Sequence, residues 1–129
     1  MKLQLVLAAM ILVSALAGCA GSDAPTDITI DVIPQNHSGQ NYKLRVRVLD
    51  DDRSLVDRNF TLTASDHVGK AVKVTFLSGT HSVRANAERD AAGTKKLLDH
   101  EETTTFKSSA KSLTVTIGTD EALGFAVTN

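Results

Sequence analysis

At 129 residues the chain holds one domain's worth of sequence, with 14 basic and 15 acidic residues, one cysteine, one tyrosine and no tryptophan. A formal charge of −1 supplies no basic patch for nucleic acid, and the lack of aromatics leaves few stacking platforms for bases or sugars. A lone cysteine excludes an internal disulfide, so the domain has to be held together by apolar packing.

Residues 1–19 open with Met-Lys, continue as an apolar run from Leu3 to Val13 broken only by Gln4, and end in Ser14-Ala-Leu-Ala-Gly-Cys19. A positive start, a short apolar centre and small residues before a cut are the parts of a secretory signal. The run is shorter than the roughly 20 residues a membrane-spanning helix needs. It is also apolar around nearly its whole circumference, unlike an amphipathic helix lying on a core.

Leu16-Ala17-Gly18-Cys19 resembles the lipobox of bacterial lipoproteins. The resemblance implies that residues 1–18 are a signal peptide removed before Cys19, and that Cys19 carries diacylglycerol and an amide-linked acyl group such as palmitate. Two or more acyl chains anchor a protein stably, at about 0.8 kcal/mol per buried CH₂, where one chain does so only marginally. Residues 19–26 are then a lipidated cysteine and a polar tether. From Ala20 to Thr26 the tether reaches about 25 Å at ~3.6 Å per residue. Ala20, where an Asp commonly signals inner-membrane retention in Gram-negative lipoproteins, implies the outer membrane, inner leaflet, facing the periplasm.

From Asp27 to Asn129 the pattern alternates with period two, the mark of half-buried strands. Ile28, Ile30 and Val32 share the first apolar face, which Pro34 is expected to close. Tyr42, Leu44, Val46 and Val48 follow, then Phe60, Leu62 and Ala64, then Val72, Val74 and Phe76, then Val83, Ala85 and Ala87. Residues 86–106 admit two readings. Ala91-Ala92 and Lys95 to Leu98 favour a helix, but Gly93 costs one about 1 kcal/mol and Thr103-Thr-Thr-Phe106 is β-prone. A hairpin turning at Asp90–Thr94 is preferred, with Leu98 and Phe106 inward. Leu113, Val115 and Ile117 form the next strand, and Leu123, Phe125 and Val127 the last. The expectation is a single all-β domain over residues 27–129, an antiparallel β-sandwich of seven to eight strands, immunoglobulin- or transthyretin-like.

Val74 to Ala87 followed by Ser112 to Ile117 resembles the C-terminal half of transthyretin-like and carboxypeptidase-regulatory-like sandwiches. Those domains often carry Leu-x-x-Gly-x-Tyr-x-Val at a hairpin; Leu77, Gly79 and Val83 fall near that pattern, with His81 in place of the tyrosine. A sandwich fold does not by itself supply a function.

Sites are sparse. None of His37, His67, His81 and His100 is spaced to put two imidazoles on one metal, so a shared metal site would require loops to converge, and neither a metal site nor a cofactor is expected. His81 has the parity of Val83 and is expected to cap the core, while His100 has the parity of Leu98. Asp50-Asp51-Asp52 lacks the grammar of a Ca²⁺ loop, His100-Glu101-Glu102 lacks the second histidine of a zinc protease, and there is no Gly-x-Ser-x-Gly elbow. The expected function is therefore a non-enzymatic, lipid-anchored module. It touches membrane lipid through acylated Cys19, binds or supports another envelope protein, and has no role with nucleic acid. The alternative is a periplasmic metal-handling or stress lipoprotein using the loop histidines. If consecutive strands run antiparallel, the loops alternate between a membrane-proximal and a distal end. Asn36, His37, Asn41, Asp66, His67 and Lys70 then belong to the distal, partner-facing loops.

Overall fold

A computed structural model of the chain describes residues 24–129, apart from Ala92 and the side chains of Asp90 and Ala91. The signal, Cys19 and the tether up to residue 23 lie outside the described residues.

The described residues form eight strands: β1 (Asp27–Asn36), β2 (Tyr42–Asp50), β3 (Arg53–Leu62), β4 (Val72–Leu77), β5 (Gly79–Ala91), β6 (Thr94–Phe106), β7 (Ser112–Ile117) and β8 (Leu123–Thr128). They make two four-stranded sheets, ordered β4-β1-β7-β8 and β3-β2-β5-β6. This is a β-sandwich, as the alternation predicts. Ile28, Ile30, Val32, Val74, Phe76, Leu113, Val115 and Ile117 of the first sheet pack against Tyr42, Leu44, Val46, Val48, Val56, Phe60, Leu62, Val83, Ala85, Ala87 and Phe106 of the second. The opposite faces carry the Thr, Lys and Arg residues of the alternation and stay wet.

Residues 79–106 are a long hairpin rather than a helix. Its register runs unbroken from Gly79↔Phe106 to Ala91↔Thr94, and Gly93 takes a φ of 80° that a side chain would resist. Phe106 is buried and Leu98 half-buried, as their parity requires.

Three features differ from the sequence reading. Pairing is antiparallel throughout except between β1 and β7, which run parallel with Asp31 opposite Ser112 and Asn36 opposite Ile117. Pro34 does not close β1; it is buried in the strand, opposite Val115. The physical reason is directional. Along β1 the N–H of Asp31 points toward β7, reaching Lys111 O, so two-residue alternation turns the nitrogens of 32, 34 and 36 toward β4. Pairing with β4 ends at Val32↔Val72, so the donor that proline lacks has no strand to meet, and Pro34 O accepts from Gly69 N at 2.7 Å instead. Finally, Leu77-Ser78-Gly79 is not a hairpin within one sheet. β4 and β5 belong to different sheets, and Gly79, at φ 129°, lets the chain cross between them.

Thr26 and Ser78 bond reciprocally, Thr26 N donating to Ser78 Oγ at 3.0 Å and Ser78 N to Thr26 O at 2.7 Å. This pins the start of β1 beside the β4–β5 crossing. Asp50, Arg53 and Ser78 line one cleft there with Pro25 and Asp27. This is the proximal end; the loops 37–41, 63–71 and 118–122 lie at the distal end.

Candidate functional site

At the distal end, the last residue of β1 organises its neighbours. Asn36 is 0% exposed, and every hydrogen-bonding position of its amide is used. Nδ2 donates to Gln40 O at 2.7 Å and Thr63 O at 3.0 Å, while Oδ1 accepts from Ser38 N at 3.2 Å and Ser38 Oγ at 2.6 Å. Its backbone N–H is shared between Asp66 O and His67 O, each at 3.3 Å, and His37 N donates to Ile117 O at 2.8 Å. One buried amide thus braces the loop after β1 against the loop after β3. Partner-facing is therefore the wrong role for Asn36: a side chain with no exposed surface cannot meet a partner, and what it does is hold the loops that can.

Two more of the six predicted residues are also used in bracing. Asn41 Oδ1 accepts from Ala64 N at 2.8 Å. Asp66 Oδ2 accepts from Thr63 N at 2.8 Å, and that backbone hydrogen bond holds its carboxyl below the ordinary range. His37, His67 and Lys70 are exposed. The structure brings the first two together: the ring centroids of His37 and His67 are 5.6 Å apart with planes inclined by 23°, although thirty positions separate them in the chain. Val68, next to His67 in the chain, is 62% exposed. Sequence reasoning passed over Val68. The signal available was an apolar residue between Ser65 and Lys70, outside every strand alternation.

The other two histidines serve the body of the sandwich. His81 donates from Nε2 to Leu77 O at 2.7 Å and packs its ring against Phe76 and Phe106. His100 lies against Phe125 across the sheets, with Nε2 3.4 Å from Glu102 Oε1.

A second distal cluster gathers around Glu121. Glu121, in the β7–β8 turn at a φ of 58°, receives the Tyr42 hydroxyl at 2.9 Å. It also pairs with Arg89 Nε at 2.7 Å and Lys96 Nζ at 2.6 Å. Arg89 and Glu121 side chains are only 17% and 15% exposed. Lys96, then Arg89 and Tyr42, hold the Glu121 carboxyl down at about 2, while burial and the bond to Glu121 push the Tyr42 phenol up. The cluster clamps the turn of one sheet to three strands of the other. The signal for it was Tyr42 itself, whose inward parity demands a partner for its hydroxyl.

The outer face of the β3-β2-β5-β6 sheet carries an open groove of about 510 Å³ lined by Lys43, Arg45, Asn59, Thr61, Glu88, Leu97 and Asp99. Its charges largely neutralise one another: Arg45 pairs with Asp57 at 2.7 Å and Arg84 with Asp99 at 2.8 Å. Among the described residues no group of three or more His, Cys, Asp and Glu side chains is gathered to hold a metal ion. Comparison with protein-family models, with curated proteins and with solved structures finds no match.

Proposed function

We propose that this chain is a lipid-anchored envelope lipoprotein whose β-sandwich is a non-enzymatic module, docking another envelope protein through its distal loops. The observation that carries the reading is the placement of His37, His67 and Val68. Two loops knitted by backbone bonds present two imidazoles and an exposed valine at the end opposite Thr26, where the chain enters the domain. Side chains held on a braced scaffold lose little freedom on binding, which favours recognition. The lipobox resemblance at Leu16-Ala17-Gly18-Cys19 supplies the anchor. With Cys19 lipidated at the outer membrane, the proximal end faces the bilayer and the distal loops face the periplasm.

Crosslinking from single reporters tests the docking reading. Reporters at His37 and Val68 should capture a defined envelope protein that reporters at Asp52 and Ser109 do not; capture from the proximal pair instead would overturn it. Intact mass tests the anchor separately: the mature wild-type protein should begin at Cys19 and carry acyl chains. Cys19→Ser should lack them.

A further inference from the structure

We propose that His37 and His67 together bind one first-row transition cation of the Cu²⁺ or Zn²⁺ class. Two imidazoles sharing a tetrahedral metal through bonds of about 2.0–2.1 Å have ring centroids about 5 Å apart. The centroids here are 5.6 Å apart. The rings are stacked here, with planes inclined by 23°, so coordination requires each to turn about χ1 and χ2 until a nitrogen of each faces a common point; both side chains are exposed, with broad χ2 wells.

The pair is built rather than accidental. Asn36 N to Asp66 O and His67 O, Gly69 N to Pro34 O and His37 N to Ile117 O fix the two backbones that carry the rings. Neither imidazole belongs to the core, in contrast to His81, which is held by Leu77 O, and His100, which lies on Phe125. His37 Nε2 lies a long 3.4 Å from Gln35 Oε1.

Imidazole donors select Cu²⁺ and Zn²⁺ over Ca²⁺ and Mg²⁺, which require oxygen ligands. With two protein ligands, the remaining coordination positions go to water or to an incoming ligand. That is the character of a site that exchanges its ion, not of a closed structural centre. The site needs no protein partner, so its failure leaves the docking reading standing, and failure of docking leaves the site standing.

The test titrates Cu²⁺ and Zn²⁺ separately into the metal-free full-length chain in detergent, by calorimetry, with Cu²⁺ also followed by electron paramagnetic resonance. One ion per chain should bind with a Kd of about 10 µM, weakened about tenfold or more in His37→Gln and, separately, in His67→Gln. His100→Gln should bind as the wild type does, and Ca²⁺ and Mg²⁺ should not bind at this site. The copper spectrum should show nitrogen coupling from two imidazoles, reduced in either variant, with unchanged circular dichroism certifying the fold. Absence of saturable binding, undiminished binding in either single variant, or an equal loss in His100→Gln would overturn the proposal.

Discussion

Replacing Asn36 by alanine removes four hydrogen bonds from a position with no exposed surface. A hydrogen bond contributes about 1 kcal/mol net, and a buried group left without a partner costs about 1–3 kcal/mol. The bonds to Ser38 and Gln40 lie near the surface, where water replaces them. The Thr63 carbonyl loses one of its two donors and keeps the hydrogen bond from Asp66 N at 3.1 Å, so the cost is mainly that of the lost bonds at a buried position. The sum comes to about 2–4 kcal/mol. Asn36→Asp should be worse at neutral pH, because a carboxylate would then face the carbonyls of Gln40 and Thr63, where Nδ2 donates now. Its folded-state pKa would be raised, so the penalty should shrink as pH falls and the carboxyl takes up a proton. Asn41→Ala, which loses a single exposed bond to Ala64 N, should cost no more than about 1 kcal/mol. Urea unfolding of residues 24–129, followed by circular dichroism, measures all three. With m near 1–2 kcal/mol/M, the Asn36→Ala midpoint should move by about 2 M. Equal costs for Asn36→Ala and Asn41→Ala would show that the buried amide is not what joins the distal loops.

Val46→Ala, Phe76→Ala and Val115→Ala should each destabilise by about 2–4 kcal/mol in the same assay, because all three are buried in the core. Thr63→Ala, in the loop after β3, and Thr116→Ala, on the outer face of β7, should cost less than about 1 kcal/mol; a loss at Thr116 equal to that at Val115 would mean that the faces of β7 are misassigned. Glu121→Gln tests the distal clamp through pH. The Glu121 carboxyl is lowered from 4.5 to about 2 in the fold, so its contribution is complete above the ordinary carboxylate range and disappears as pH falls toward 2. The difference in unfolding midpoint between wild type and variant should therefore hold steady near neutral pH and narrow in acid, and a difference independent of pH would refute the clamp.

The strands were legible because half-burial imprints a period of two. Val46, Val83 and Val115 could be placed inward from spacing alone, and Gly93 together with the β-prone run Thr103 to Phe106 favoured a hairpin over a helix. Pro34 was misread because the direction of its missing donor depends on which neighbour strand is present at that point, and no local pattern carries that. The distal cluster of Tyr42, Arg89, Lys96 and Glu121 was illegible for a related reason. Tyr42 announces the need for a partner, but the partner is 79 positions away, in a turn whose place is set by sheet order. The histidine pair lies between these cases. Sequence showed that His37 and His67 sit in loops and that alternation sends both loops to one end; the backbone bonds from Asn36, His37 and Gly69 that set the rings 5.6 Å apart are long-range and leave no local pattern.

The parallel pairing of β1 with β7 also bears on force. A pull at Thr26, resisted by a partner held on the distal loops, runs lengthwise along β1. That strand lies between β4 and β7, in register with six residues of each. Such a load shears two ladders at once, so their hydrogen bonds share the strain and must fail together. A strand at the sheet's border, peeled sideways, would lose them one by one. β1, flanked on both sides by paired strands, is thus placed to resist tension applied between its two ends.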